Sequence, residues 1–197
     1  MPKFTLEYQG SKVDPLKFSP MARNGHRSPK HTWQGISHEF GEMKLVHSSD
    51  SAEEGGPAAE VRGESVPNVF FEGFSLGDRP RLTLARLRVG GEVVETRRRS
   101  WALRKKGRAL RLAFEGNEYR CTAVNRKSYT FTRSGVRILV TEKGRGESKY
   151  IMVNVDGPAG PADISLGVVF AGANRAHLTW GGAVRAGLTT FLAFAAD

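Results

Sequence analysis

Along most of this chain apolar side chains recur at every second position, in short runs cut by turn formers. Trp101 and Leu103 alternate with Ser100, Ala102 and Arg104, and Leu110, Leu112 and Phe114 alternate with Ala109, Arg111 and Ala113. Tyr119, Cys121 and Ala123 keep the phase, followed by Tyr129 and Phe131, by Val136, Ile138 and Val140, and by Tyr150 and Met152. A period of two with one apolar face marks half-buried antiparallel strands. The separators are turn-like: Lys106-Gly107, Glu115-Gly116-Asn117, Asn125-Arg126-Lys127, Ser134-Gly135 and Gly144-Arg145-Gly146. Earlier candidate strands lie at 43–47, 59–66, 69–76, 81–89 and 92–96. Roughly ten strands in about 120 residues, joined mostly by hairpins, predict a mainly β fold, a barrel of antiparallel strands or a sandwich.

After Asp156-Gly157-Pro158-Ala159-Gly160-Pro161 the period changes. Pro161 suits an early helical position, and Asp163 falls in the first turn, where the dipole favours an acid. The stretch 164–173, ISLGVVFAGA, is apolar on every side, so a helix there must be enclosed. Its five large side chains (Ile164, Leu166, Val168, Val169, Phe170) contribute on the order of 10 kcal/mol when buried. That is comparable to the net stability of a whole domain. The expectation is a buried hydrophobic helix near the C-terminus. A second helix is expected at 182–195, with Val184, Leu188, Phe191, Leu192 and Ala195 on one stripe and Arg185 outside it.

The first 35 residues are poor in aliphatics and hold Pro2, Pro15, Pro20 and Pro29. Lys3, Lys12, Lys17, Arg23, Arg27 and Lys30 outnumber the acids Glu7 and Asp14 there. Residues 1–35 therefore read as a basic, poorly ordered arm with at most a short strand at 4–8, and 36–197 as one barrel-like domain. The segment 48–59, with SSDSAEEGGPAA, reads as an exposed loop.

Charge sharpens the picture. The 197 residues carry 30 Lys plus Arg against 20 Asp plus Glu, a formal net charge of +10. Such a field attracts polyanions, although the same excess also describes an ordinary solubilising surface. The single cysteine, Cys121, forms no intramolecular disulfide. The first twelve residues lack the apolar core of a secretory signal, and Arg175 and Arg185 interrupt the most hydrophobic region before it reaches a membrane span. A cytoplasmic location, including the membrane's inner face, is expected, with no transmembrane segment.

Many hairpin strands followed by a wholly apolar helix resemble the tubby-like barrel of tubby, LURP-one-related and phospholipid scramblase proteins. The likeness rests on 108–155, especially RALRLAFEGNEYRCTAV, SYTFTR and VRILVTEKG, followed by 161–173, and covers about 36–175 at the level of pattern. It implies a closed antiparallel barrel of about twelve strands around one central hydrophobic helix. It also implies a face that meets anionic phospholipid headgroups. This chain departs from the family in continuing through 179–197, and no lipid-contacting position is carried over from tubby.

The strongest local candidate for binding chemistry is the acid-free block TRRRSWALRKKGRALRL at 96–112. Its cations are Arg97, Arg98, Arg99, Arg104, Lys105, Lys106, Arg108 and Arg111. Folded as a hairpin turning at Lys105-Lys106-Gly107, it would gather Arg104, Arg108 and Arg111 while Trp101, Leu103 and Leu110 face inward. Such a tip neutralises phosphates, and Trp101 would stack on a base or enter a membrane interface. The competing reading puts Trp101 in the core and leaves the charges as a solvated rim.

Other chemistry lacks support. His26, His31, His38, His47 and His177 show no ligand spacing, so no metal or cofactor is expected. Cys121, in phase with Tyr119 and Ala123, reads as a buried thiol. Gly144-Arg145-Gly146 lacks the lysine and following helix of a phosphate loop. The expectation is a non-catalytic binding module for anionic phospholipid headgroups or another polyanion. One alternative is a nucleic-acid-associated protein using the Arg-rich hairpin. Another is a structural protein whose C-terminal helix offers Leu188, Phe191 and Leu192 to a protein partner.

Overall fold

A computed structural model of the chain describes residues 2–12, 30–48, 57–73, 79–82, 85–98, 109–175 and 178. Thirteen strands run as β1 (Lys3–Lys12), β2 (Lys30–Ser37), β3 (Gly41–Ser48), β4 (Ala58–Gly63), β5 (Val69–Gly73), β6 (Ala85–Val89) and β7 (Glu92–Val94), then β8 (Thr96–Arg97), β9 (Leu110–Phe114), β10 (Asn117–Ala123), β11 (Ser128–Arg133), β12 (Val136–Lys143) and β13 (Tyr150–Asp156). They form one sheet in the order β7-β6-β5-β4-β3-β2-β1-β13-β12-β11-β10-β9-β8. Every pairing is antiparallel, and Glu115-Gly116 and Ser134-Gly135 make the tight turns their chemistry predicts. The sheet curls into a nearly closed barrel. Its edges β7 and β8 are successive pieces of one stretch, which pairs with β6 through Glu92–Val94 and with β9 through Thr96–Arg97. The strand expected at 92–96 is therefore divided at Glu95, and the two halves serve opposite sides of the seam.

Alternation places the core. Leu6, Met43, Leu45, Val61, Phe71, Leu87, Cys121, Ile138, Val140 and Val153 are all 0% exposed and face the lumen. The lumen is filled by α1 (Pro161–Val169), which a 3-10 turn, Phe170–Gly172, prolongs. Residues Asp163 to Val169 are buried on every side of the helix, as its composition demands. Phe170 packs edge-on to Phe71 (ring centroids 5.5 Å apart) and against Phe131 (5.8 Å). Tyr129 donates to the Gly167 carbonyl at 2.6 Å. At Gly172 a Cβ would come within 2.6 Å of the Ala59 Cβ, so only glycine lets the turn lie this close to β4.

Both ends of the helix are tied to the wall by an ion pair. At the N-terminal end Asp163 receives Arg133 Nε and Nη2 at 2.7 Å each, the Gly160 amide at 2.7 Å and the Tyr119 hydroxyl at 3.0 Å. Burial opposes the Asp163 charge, but Arg133, the amide and Tyr119 outweigh it and hold the carboxyl below its ordinary range. Burial, reinforced by Asp163, pushes the Tyr119 phenol up to about 12, so it stays a donor. At the other end Arg175 donates to the Phe170 carbonyl at 2.6 Å and Arg79 to the Ala171 carbonyl at 3.3 Å. Both guanidiniums share Glu142, and that of Arg175 also lies 4.7 Å from the Tyr129 ring. Burial again opposes ionisation, yet Arg175 and Arg79 keep Glu142 below its usual range. Acid at the start of the helix and arginine at its end also oppose the helix dipole.

One expectation is corrected. Residues 3–12 and 30–35 are not an arm outside the domain: β1 lies between β13 and β2, and the boundary at 35/36 falls within β2. Phe4 (6% exposed) and Leu6 (0%) alternate with Lys3, Thr5 and Glu7, and two inward side chains suffice for a strand bonded on both edges. The prolines Pro2 and Pro29 only bracket these strands. Of the loop expected at 48–59, Ser48 closes β3 and Ala58 and Ala59 belong to β4, while 49–56 lie outside the described residues. The second helix expected at 182–195 lies outside the described residues.

Candidate anion-binding wall

The outer wall over β8 to β12 carries two of the basic residues that the sequence singled out, Arg97 and Arg111, beside two that it did not. Across the ladder Arg97 stands opposite Arg111, Arg111 opposite Arg120, Arg120 opposite Thr132, and Thr132 opposite Arg137. Their chain neighbours Leu110, Leu112, Tyr119, Cys121, Phe131, Val136 and Ile138 are buried, so alternation turns this set outward. Four exposed arginines thus lie in one lateral file across five strands. With strands ~4.8 Å apart the file spans about 19 Å. Beyond Arg137 it ends at Asp156 on β13.

Like charges placed directly opposite one another destabilise a sheet, so stability does not explain this row. Arg97 is braced by Glu95, with Nε–Oε1 at 3.1 Å and Nη2–Oε2 at 3.0 Å. Among the described residues Arg111, Arg120 and Arg137 take part in no ion pair. Their guanidiniums offer paired N–H donors to solvent, the geometry that grips phosphate and carboxylate.

Of the predicted site residues, Arg97 and Arg111 meet in the file. Arg98 points away from it and is half-buried, and burial lowers the pKa of its guanidinium. Arg99, Trp101, Arg104, Lys105, Lys106 and Arg108 lie outside the described residues, as do Leu188, Phe191 and Leu192. Leu110 faces inward, as the hairpin reading requires. Arg120 and Arg137 were missed because each stands alone in its own strand sequence. Only the cross-strand register sets them beside Arg111.

No family model, curated protein or solved structure matches this chain. The chemistry therefore rests on its own residues. His31, assigned by sequence to the arm, sits on β2 opposite His47, with the rings 4.7 Å apart and its Nδ1 2.8 Å from the Tyr8 hydroxyl. Among the described residues no three His, Cys, Asp or Glu side chains converge to hold a metal. Cys121 is fully buried and burial pushes its thiol up to about 12, far from a reactive thiolate. No helix among the described residues is long and apolar enough to cross a membrane.

Proposed function

We propose that the protein is a non-catalytic binding module whose arginine file meets the phosphates of an anionic phospholipid surface. The observation that carries this reading is the file itself, Arg97, Arg111, Arg120 and Arg137 in lateral register on an outer wall. The resemblance to tubby-like proteins supports the same reading, because an antiparallel barrel around one apolar helix is the architecture that family implies. The net charge of +10 adds a long-range attraction to the same class of ligand.

Flotation with neutral and with phosphatidylserine-containing vesicles tests it. A basic side chain at an anionic surface contributes about 1 kcal/mol, so Arg111→Gln with Arg120→Gln should weaken partitioning by about 30-fold. Equal recovery on neutral vesicles, or a double variant that floats like the wild type, would sink the reading. A second reading, nucleic-acid association, is favoured by the linear shape of the file, which suits a chain of phosphates. In that case a single-stranded oligonucleotide should bind with a steep salt dependence, and the same double variant should lower that slope by about 1.4.

A further inference from the structure

A second basic feature lies on the same outer face, toward the barrel end where the helix stops. From Arg137 to Lys143, β12 runs about 20 Å, so this feature is separate from the arginine file. It is an open depression between the β10–β11 turn and the β12–β13 loop, lined by Arg126, Lys127, Ser128, Thr141, Lys143 and Tyr150. The register builds it. Ser128 stands opposite Thr141 across β11 and β12, and Lys143 opposite Tyr150 across β12 and β13. With Ser148 of the β12–β13 loop, four hydroxyl residues and three cations therefore line one hollow. Among the described residues none of these cations is in an ion pair.

No carboxylate answers them at the site. Glu142 also borders the hollow, but its carboxylate is held by Arg79 and Arg175 at the barrel mouth. Glu7 is the next residue across from Tyr150, and Glu147 belongs to the neighbouring loop; neither lines the depression. The rim is also held in shape. Asn125 Oδ1 accepts from the Lys127 and Ser128 amides at 2.8 Å each, and the Glu142 amide donates to the Lys127 carbonyl at 2.8 Å. On the opposite rim Gly144 has φ +79° and packs so close to the Ser148 carbonyl that no Cβ fits. A rim fixed in advance loses little entropy on binding.

We propose that this depression is a binding site for a phosphate monoester. A carboxylate has one charge and two oxygens, and three cations would over-neutralise it. A monoester near neutral pH carries close to two charges and three terminal oxygens, so it neutralises more of the three cations and engages more of the surrounding hydroxyl donors. The ligand is either a free small phosphate ester or the exposed monoester of a lipid headgroup. The site shares no residue with the arginine file and does not depend on it.

The full chain is titrated calorimetrically with glycerol 3-phosphate, and separately with vesicles containing phosphatidic acid or, at matched charge, phosphatidylglycerol, at about 0.15 M salt. Lys127→Glu with Lys143→Glu is compared with Arg111→Gln with Arg120→Gln, and circular dichroism and the unfolding midpoint verify folding. Lys127→Gln with Lys143→Gln serves if the charge reversal misfolds. Saturable binding of glycerol 3-phosphate, weakened at least ~10-fold by the Lys127/Lys143 change and unaffected by the arginine change, establishes a site for a soluble ester. Preference for phosphatidic acid over phosphatidylglycerol, lost in the same variant without binding of the free ester, places the ligand on a lipid. The proposal is overturned if neither monoester binds better than sulfate or phosphatidylglycerol, or if the lysine variants bind as the wild type does. Loss in the arginine variant alone would return all anion binding to the wall.

Discussion

Asp163→Asn tests whether the ion pair at the start of α1 holds the helix in the barrel. The Asp163 side chain is 4% exposed and that of Arg133 21%, so both charges sit largely out of water. Removing one partner of a buried pair typically costs 3–5 kcal/mol, because the remaining charge is left uncompensated. Here the cost should be smaller. Asparagine keeps one acceptor oxygen, enough for the Gly160 amide, its Nδ2 can donate to the Tyr119 hydroxyl oxygen, and Arg133 has enough exposure to recover some hydration. A loss of about 2–3 kcal/mol follows, which at a urea m-value of ~2 kcal/mol/M moves the midpoint down by about 1–1.5 M.

The same variant carries a pH signature that a packing defect would not. The neighbours of Asp163 hold its folded-state pKa below the ordinary value of 3.8. A depressed carboxylate contributes stability that is fully present above the unfolded-state pKa and is lost as pH falls through the folded one. Wild-type stability should therefore drop steeply on acidification below about pH 4, and Asp163→Asn should lack that share of the acid limb. Urea titrations at neutral pH and through the acid range measure both quantities. An asparagine variant within about 0.5 kcal/mol of the wild type, or one with the full acid limb, would refute the argument.

Two further outcomes test the enclosure of the helix. Phe170→Ala removes the ring between Phe71 and Phe131 and should cost about 3–5 kcal/mol in urea unfolding; a loss below ~1 kcal/mol would mean the lumen collapses around the gap. Cys121, buried and with a thiol raised to about 12, should react with a thiol-specific disulfide reagent only as fast as the protein unfolds, and prompt labelling of native protein would contradict its placement.

Periodicity along the chain already carried the fold class. Strands such as Leu110–Phe114 and Val136–Lys143 pack one face only, so their alternation is visible without any partner. Helix α1 was equally legible, because a segment apolar all round has no stable place in water. Local sequence alone could not separate β1 from an arm. A strand with a single aliphatic residue, Leu6, is made by its backbone bonds to β2 and β13, and those neighbours lie 18 and 138 residues away from its end. Nor could it divide the stretch at Glu95 between two partners.

Charge followed the same rule. The basic block at 96–112 was plain in the sequence, yet only two of its eight cations are seen to join the file. The other two members, Arg120 and Arg137, belong to strands of mixed charge, and the open hollow between the β10–β11 turn and the β12–β13 loop draws on residues from three strands and both connections. Hydrophobic burial acts on each segment by itself and so is written into local pattern. Coulombic fields and hydrogen-bond geometry act across a few ångströms between segments remote in the chain, and only the register of the closed sheet decides which of them meet.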